Sequence, residues 1–150
     1  MRIVIQRVAE ASVVIDEKTV AKINKGLVIL VGVEAEDTIE DILWLTSKIV
    51  NLRIFPDKNE VMNLSVKDVS GEIIVVSQFT LHASTKKGNR PSYIKAARPE
   101  TAVPLYTSFI QKLALDFGKP IQTGQFGADM KISLINDGPV TIIMDSKNKE

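Results

Sequence analysis

The run "GLVILVGV" at residues 26–33 has apolar side chains at both alternating positions. Successive side chains of a strand point to opposite faces, so a strand made of this run has to be buried on both sides. As a helix it is far short of the roughly 20 residues that cross a bilayer. The chain therefore needs a sheet with a covered central strand. At 150 residues it is long enough for one domain with one core. The remaining pattern supplies the parts. "RIVIQRV" (2–8) is β-branched, and "ASVVID" and "TVAKIN" flank a hairpin turn at "EK". Asp37 and Glu40 have capping-box spacing, and Ile39, Ile42, Leu43, Thr46, Ile49 and Val50 make a stripe at helical period. "GEIIVVSQFTL" (71–81) is the strongest strand, and 82–97 reads as a long loop. A second helix spans about Glu100 to Phe117, with Pro104 tolerable near its first turn and Gly118 and Pro120 ending it. Short strands at 121–123, 131–136 and 140–144 follow. The fold class is α+β: a single domain with two main helices and a mostly antiparallel sheet curled toward a barrel.

Much chemistry is excluded by what the chain lacks. It has no cysteine and one histidine, His82, so disulfides, thiolate catalysis and the usual Cys/His metal sites are out. No metal or cofactor is expected. There is no P-loop, no dinucleotide fingerprint and no nucleophile elbow. The N-terminus lacks a signal core, which with the absent cysteines fits the cytoplasm, and no membrane partner is expected. A net charge of +1 leaves any affinity for nucleic acid to local patches.

Four stretches remain. In "SQFTL" (77–81) a persisting strand would put Gln78, Thr80 and His82 on one face and Ser77, Phe79 and Leu81 on the other. This is a polar wall for a substrate, with strand-end amides available to an oxyanion, or an ordinary strand with one wet face. Lys86, Lys87, Arg90, Lys95 and Arg98 crowd a loop that also holds Tyr93; cations and an aromatic suit a nucleic-acid backbone and base, and they equally suit a solvated loop. In "GQFGADM" (124–130) two glycines could expose Phe126 beside Met130 to a planar ligand, or both side chains belong to the core. Finally, "NDGPVT" (136–141) sets Gly138 and Pro139, the two worst strand formers, between two good strands. A plain trans turn explains this, and so does a fixed cis bond presenting two carbonyls side by side.

Taken together, "IQRV", "ASVVID", "GLVILVGV", "RIFPD" with "MNLSV", "VVSQFTL", "KKGNRPS", "QTGQFGADM" and "NDGPVT" resemble the D-aminoacyl-tRNA deacylase family, also called D-tyrosyl-tRNA deacylases, over nearly the whole chain. The resemblance implies hydrolysis of the ester between a D-amino acid and the 3′ adenosine of tRNA, with glycine removed as well. It implies a homodimer with active sites at the subunit interface, and tRNA rather than DNA as the nucleic-acid partner. Gly138 and Pro139 would form a cis element reaching the partner's pocket, and Arg7 would anchor the element that the partner donates. Ser77, Gln78, Phe79 and Thr80 would line the pocket, and Phe126 and Met130 would lie near the terminal adenosine. Lys86, Lys87 and Arg90 would bind tRNA. Thr80 would position the substrate or act as nucleophile. His82 is outside the family's pattern. The rival readings are a noncatalytic tRNA-binding module and a structural dimer in which "NDGPVT" is only a turn.

Overall fold

In the computed structural model, which describes residues 1–150, the chain opens with one long strand, β1 (Arg2–Ile15). The sequence suggests two strands here, and the structure runs them together. A change of face midway explains the two patterns. Ile3 and Ile5 point into the main core, while Val8, Ala11 and Val13 share the opposite side. Strict alternation would separate Val8 from Ala11. The exchange occurs at the exposed pair Ala9–Glu10, where the register against the last strand slips, as a β-bulge does.

β2 (Lys18–Ile23) returns through a turn at Asp16–Glu17 with φ of 48° and 64°. Two successive positive φ values give the turn whose twist suits a two-residue hairpin. β3 (Gly26–Gly32) continues β2 along the same edge of β1, so Ile15 pairs with Lys18 and Arg2 with Gly32 in one bent hairpin. After the first helix come β4 (Phe55–Pro56) and β5 (Met62–Leu64), which make a separate small ribbon. β6 (Glu72–Ser77) and β7 (Gln122–Thr123) add parallel to β3 in turn, and β8 (Lys131–Asp145) covers the other edge of β1 antiparallel. The sheet order is β2-β1-β3-β6-β7, with β8 on β1.

The sheet curls until β2 meets β7. Gln122 closes that seam with its side-chain amide, which accepts from the Lys22 N–H (2.8 Å) and donates to the Lys22 carbonyl (2.7 Å). The two faces of the central strands are then covered differently. Leu27, Ile29, Val31, Ile73 and Val75 face the helices, against Ile42, Leu45, Phe109 and Leu113. Val28, Ile74 and Val76 face the inside of the curl, with Val13, Ile23 and the β8 residues Ile132 and Leu134. The expected α+β barrel-like sheet with two helices is the one observed.

Helix α1 (Ile39–Asn51) starts one residue later than expected. Its N-cap is Thr38, whose hydroxyl accepts from Glu40 while Asp41 accepts from the Thr38 amide (2.7 Å). Asp37 is engaged elsewhere: it is buried, paired with the N-terminal ammonium, and accepts from the Glu34 N–H at 2.7 Å. The apolar stripe is also rotated. Leu45 is fully buried, whereas Ile39 and Leu43 are exposed, because the packed face is centred on Ile42, Leu45 and Ile49. Helix α2 (Pro99–Phe117) buries Tyr106, Phe109, Leu113 and Phe117, and ends at Gly118 with φ of 77°. Pro104 sits beyond the first turn, on an exposed position, and its missing N–H leaves the Glu100 carbonyl to solvent.

Burial opposes ionisation of Asp41, but hydrogen bonds from Lys147, Ser146 and the Thr38 amide, with the Lys147 charge, outweigh it and hold the carboxyl well below the usual carboxylate range. A lowered folded-state pKa contributes stability that is present above the unfolded value of about 3.8 and lost as pH falls below it. Asp41→Asn should therefore lower the urea midpoint at pH 7 and make its decline below pH ~4 shallower than in the wild type. Parallel acid profiles for the two proteins would contradict this.

Candidate active site

The cleft is made where β6 stops. The ladder runs through the Gln78 amide, which donates to the Val31 carbonyl at 2.7 Å; the Leu81 amide then turns back to the Gln78 carbonyl at 3.2 Å. Gln78 leaves the strand at φ −145°, ψ 80°, and Phe79–His82 wind into a single 3-10 turn. The strand therefore does not persist to His82, and the shared face expected for Gln78, Thr80 and His82 does not form. The first amides of such a turn, those of Phe79 and Thr80, have no acceptor within it. Arg2 pins the turn from outside, donating to the Leu81 carbonyl (2.8 Å) while its other nitrogens bind Asp145. His82 points away from the cleft. Its ring is buried against Gly32, with Nδ1 2.9 Å from a Glu34 carboxylate oxygen.

Ser77, Gln78 and Phe79 line one side of a cleft of about 270 Å³, and Phe126 and Met130 line the other, over a floor that includes Val31 and Val76. Thr80 stands just behind, its hydroxyl accepting from the Gln78 amide group. Phe126 is placed by a turn. Gly127 has φ of 76°, and a Cβ on Gly124 would collide with the Met130 sulfur. The Phe126 ring leans on Tyr106, with centroids 5.6 Å apart. Burial pushes the Tyr106 phenol up to about 12, and its hydroxyl donates to the Val75 carbonyl. It stays neutral, and none of the thirteen lining side chains ionises. The polar resources of the cleft are the Gln78 amide, the Ser77 hydroxyl and backbone N–H groups, with the Thr80 hydroxyl bonded to Gln78 outside the lining. That equipment can orient a substrate and receive developing negative charge on oxygen.

Lys86, Lys87 and Arg90 are exposed on a loop closed at its base by two bonds between Ser84 and Ser92, of 2.8 and 2.9 Å. The Gly138–Pro139 segment is not a turn between two strands but a bulge inside one. Asn136 pairs with Val8 and Thr141 with Gln6, so residues 137–140 stand opposite Arg7 alone. The Gly138–Pro139 bond is cis. Arg7 holds the bulge of its own chain, donating to the Asp137 carbonyl (2.9 Å) and, beside it, to the Ile54 carbonyl (2.6 Å). Gly138 has φ of 136°, and a Cβ there would meet Arg7 at 3.0 Å and Val140 at 2.9 Å. Asn136 clasps the loop by accepting from the Val140 amide at 2.7 Å. Asn136 was not singled out from the sequence, although an asparagine two residues before glycine is a familiar turn signal. Both Gly138 and Pro139 are exposed, and no residue from 136 to 141 lines the cleft of the same chain.

No helix is long and apolar enough to cross a membrane. The family model for D-Tyr-tRNA(Tyr) deacylase matches residues 4–145. A D-aminoacyl-tRNA deacylase of Flavobacterium psychrophilum is 74% identical over 150 residues, covering all of both chains, and one of Flavobacterium johnsoniae is 66% identical over the same span. A solved structure described as c-Myc DNA Unwinding Element Binding Protein superposes with a TM-score of 0.92 at 39% identity, covering 97% of this chain and 98% of that one. With a cleft built from "SQFT" and "GQFGADM" and an exposed "NDGPVT" bulge, this chain belongs to the D-Tyr-tRNA(Tyr) deacylase family.

Proposed function

We propose that this protein hydrolyses D-aminoacyl-tRNA, and glycyl-tRNA, to free amino acid and tRNA, as a chiral proofreader of translation in the cytoplasm. The carrying observation is the nonionising cleft bounded by Ser77, Gln78, Phe79, Phe126 and Met130, in a chain of this family. An aminoacyl ester is already activated, so the site needs orientation and charge stabilisation more than a strong base. The ester carbonyl aims at the Phe79 and Thr80 amides, which receive the oxyanion as water adds to the carbonyl carbon. The adenosine 2′-hydroxyl relays the proton of that water to the departing 3′-oxygen. The C–O bond breaks, leaving the tRNA with a free 3′-hydroxyl and the amino acid as its carboxylate, the second proton of the water passing to solvent. Phe126 and Met130 pack on the terminal adenosine, and Lys86, Lys87 and Arg90 meet phosphates. Thr80, whose hydroxyl is engaged by Gln78 and which has no base beside it, positions rather than attacks.

Handedness is sensed by Gly138 and Pro139. Since the bulge does not line its own cleft, it serves the cleft of a second copy, which makes the working unit a homodimer with its sites at the interface. Main chain standing where an L side chain would project rejects every L-substrate by contact and ignores side-chain identity.

Purified protein should release amino acid from D-tyrosyl-tRNA and leave L-tyrosyl-tRNA intact; binding without release would favour the noncatalytic tRNA-binding module instead. Thr80→Ala should keep turnover within about tenfold, whereas loss of a true nucleophile would cost on the order of a millionfold. Gly138→Ala places a Cβ against Arg7 and Val140, so the bulge has to move. The ratio of D- to L-turnover should fall by at least about tenfold; an unchanged ratio would remove the bulge from chiral selection. Replacing Lys86 and Lys87 together by Gln should reduce the slope of log K against log salt by about 1.4 to 1.8, the release of two counterions. An unaltered slope would make that loop a bystander.

A further inference from the structure

Between the cleft and the basic loop stands a pair of exposed aromatic rings. Phe79, which lines the cleft, is 55% exposed, and Tyr93 is 40% exposed. The rings meet edge to face with centroids 5.1 Å apart and planes at 76°. Tyr93 directly follows Ser92, the residue that closes the loop bearing Lys86, Lys87 and Arg90. From Tyr93 the chain runs to Ala97, which is fixed by its amide to the Val33 carbonyl (2.8 Å) and itself lines the cleft. Next to Tyr93, Ile94 is 90% exposed. Cleft, Phe79 and Tyr93 thus follow one another by contact, and the loop that carries the cations closes at the residue before Tyr93.

Phe79 and Tyr93 touch and Ile94 follows in the chain, and a contiguous exposed apolar patch with a polar rim marks an interaction site. Here the partner's chemistry is set by what flanks them. Cations on one side suit a polyanion, and a ring with an open face suits a base without regard to its identity. A double helix hides its base faces, so the matching ligand is an unpaired strand. We propose that Tyr93 forms a stacking subsite for the unpaired nucleotide that precedes the terminal adenosine, held between the cleft and the phosphate-binding loop. Phe79 and Tyr93 brace each other edge to face, and Tyr93 stays 40% exposed to a ligand. The subsite rests on the deacylase reading given above and extends it. It makes the acceptor strand a contributor to affinity for every charged tRNA, independent of the amino acid carried.

The test compares two substrates, D-tyrosyl-tRNA and the D-tyrosyl ester of adenosine alone, which lacks any preceding nucleotide. Tyr93→Ala should lower kcat/KM on the tRNA substrate by about tenfold through KM, in line with the loss of one base stack, and leave the adenosine ester within about twofold. Tyr93→Phe should behave as wild type. Tyr93→Leu, which keeps bulk without an aromatic face, should match Tyr93→Ala. Equal losses on both substrates would mean that Tyr93 acts on the cleft through Phe79, and full activity of Tyr93→Ala on tRNA would mean that nothing stacks there; either result overturns the subsite. Wild-type protein inactive on both substrates would instead sink the deacylase reading, and the subsite with it.

Discussion

A sheet whose central strands carry no polar side has to be covered twice, and the rest of this molecule follows from that requirement. β3 and β6 present Leu27, Ile29, Val31, Ile73 and Val75 to one side and Val28, Ile74 and Val76 to the other. Burying a side chain of this kind is worth about 1.5–3 kcal/mol, so neither face can be left in water. Two helices cover the first. No further helices exist for the second, and the sheet covers it by curling onto itself. Curling brings the end of β6 and the turn at 124–130 to the same place. The cleft is thus a by-product of closing the barrel.

Much of the fold was legible because it is written in periodicity. The two-faced character of residues 26–33, the hairpin near 16–18, helix α2 and the long loop all follow from local pattern. What was illegible depends on distant partners. The sequence pattern starts α1 at Asp37, but the N-terminal ammonium engages Asp37 and Thr38 caps the helix instead. Ile39 and Leu43 are as apolar as Leu45, and only the position of the sheet selects Leu45 for burial. The end of β6 at Ser77 was hidden too, since Phe79 and Thr80 beyond it are good strand formers and no glycine or proline interrupts the run. The chain turns there because the Val31 carbonyl is its last ladder partner.

For the site, residue types singled out stretches that the fold brings together, while the geometry had to be seen. Ser77, Gln78, Phe79, Phe126 and Met130 converge although about fifty residues separate the two groups. The oddity of Gly138 and Pro139 was visible as a clash with strand propensity, and such local violations tend to mark function. Its form was not visible: four residues standing opposite one arginine inside a continuous strand. His82 illustrates the converse. A single histidine attracts suspicion in any enzyme, yet this one is sealed against Gly32 beside Glu34.

The seam at Gln122 has a consequence for how the molecule moves. A primary amide can turn one N–H and its carbonyl to the same partner, the pair that a peptide unit would present, and here it stands in for a missing strand residue. Parting β2 from β7 at that point breaks two hydrogen bonds without unzipping a ladder, whereas parting β1 from β8 breaks many. Local opening in proteins follows such inexpensive routes. The barrel therefore has a side that can breathe, held by Gln122 and by the bond from the Asn24 N–H to Glu72 rather than by a ladder, while the strands that shape the cleft stay closed.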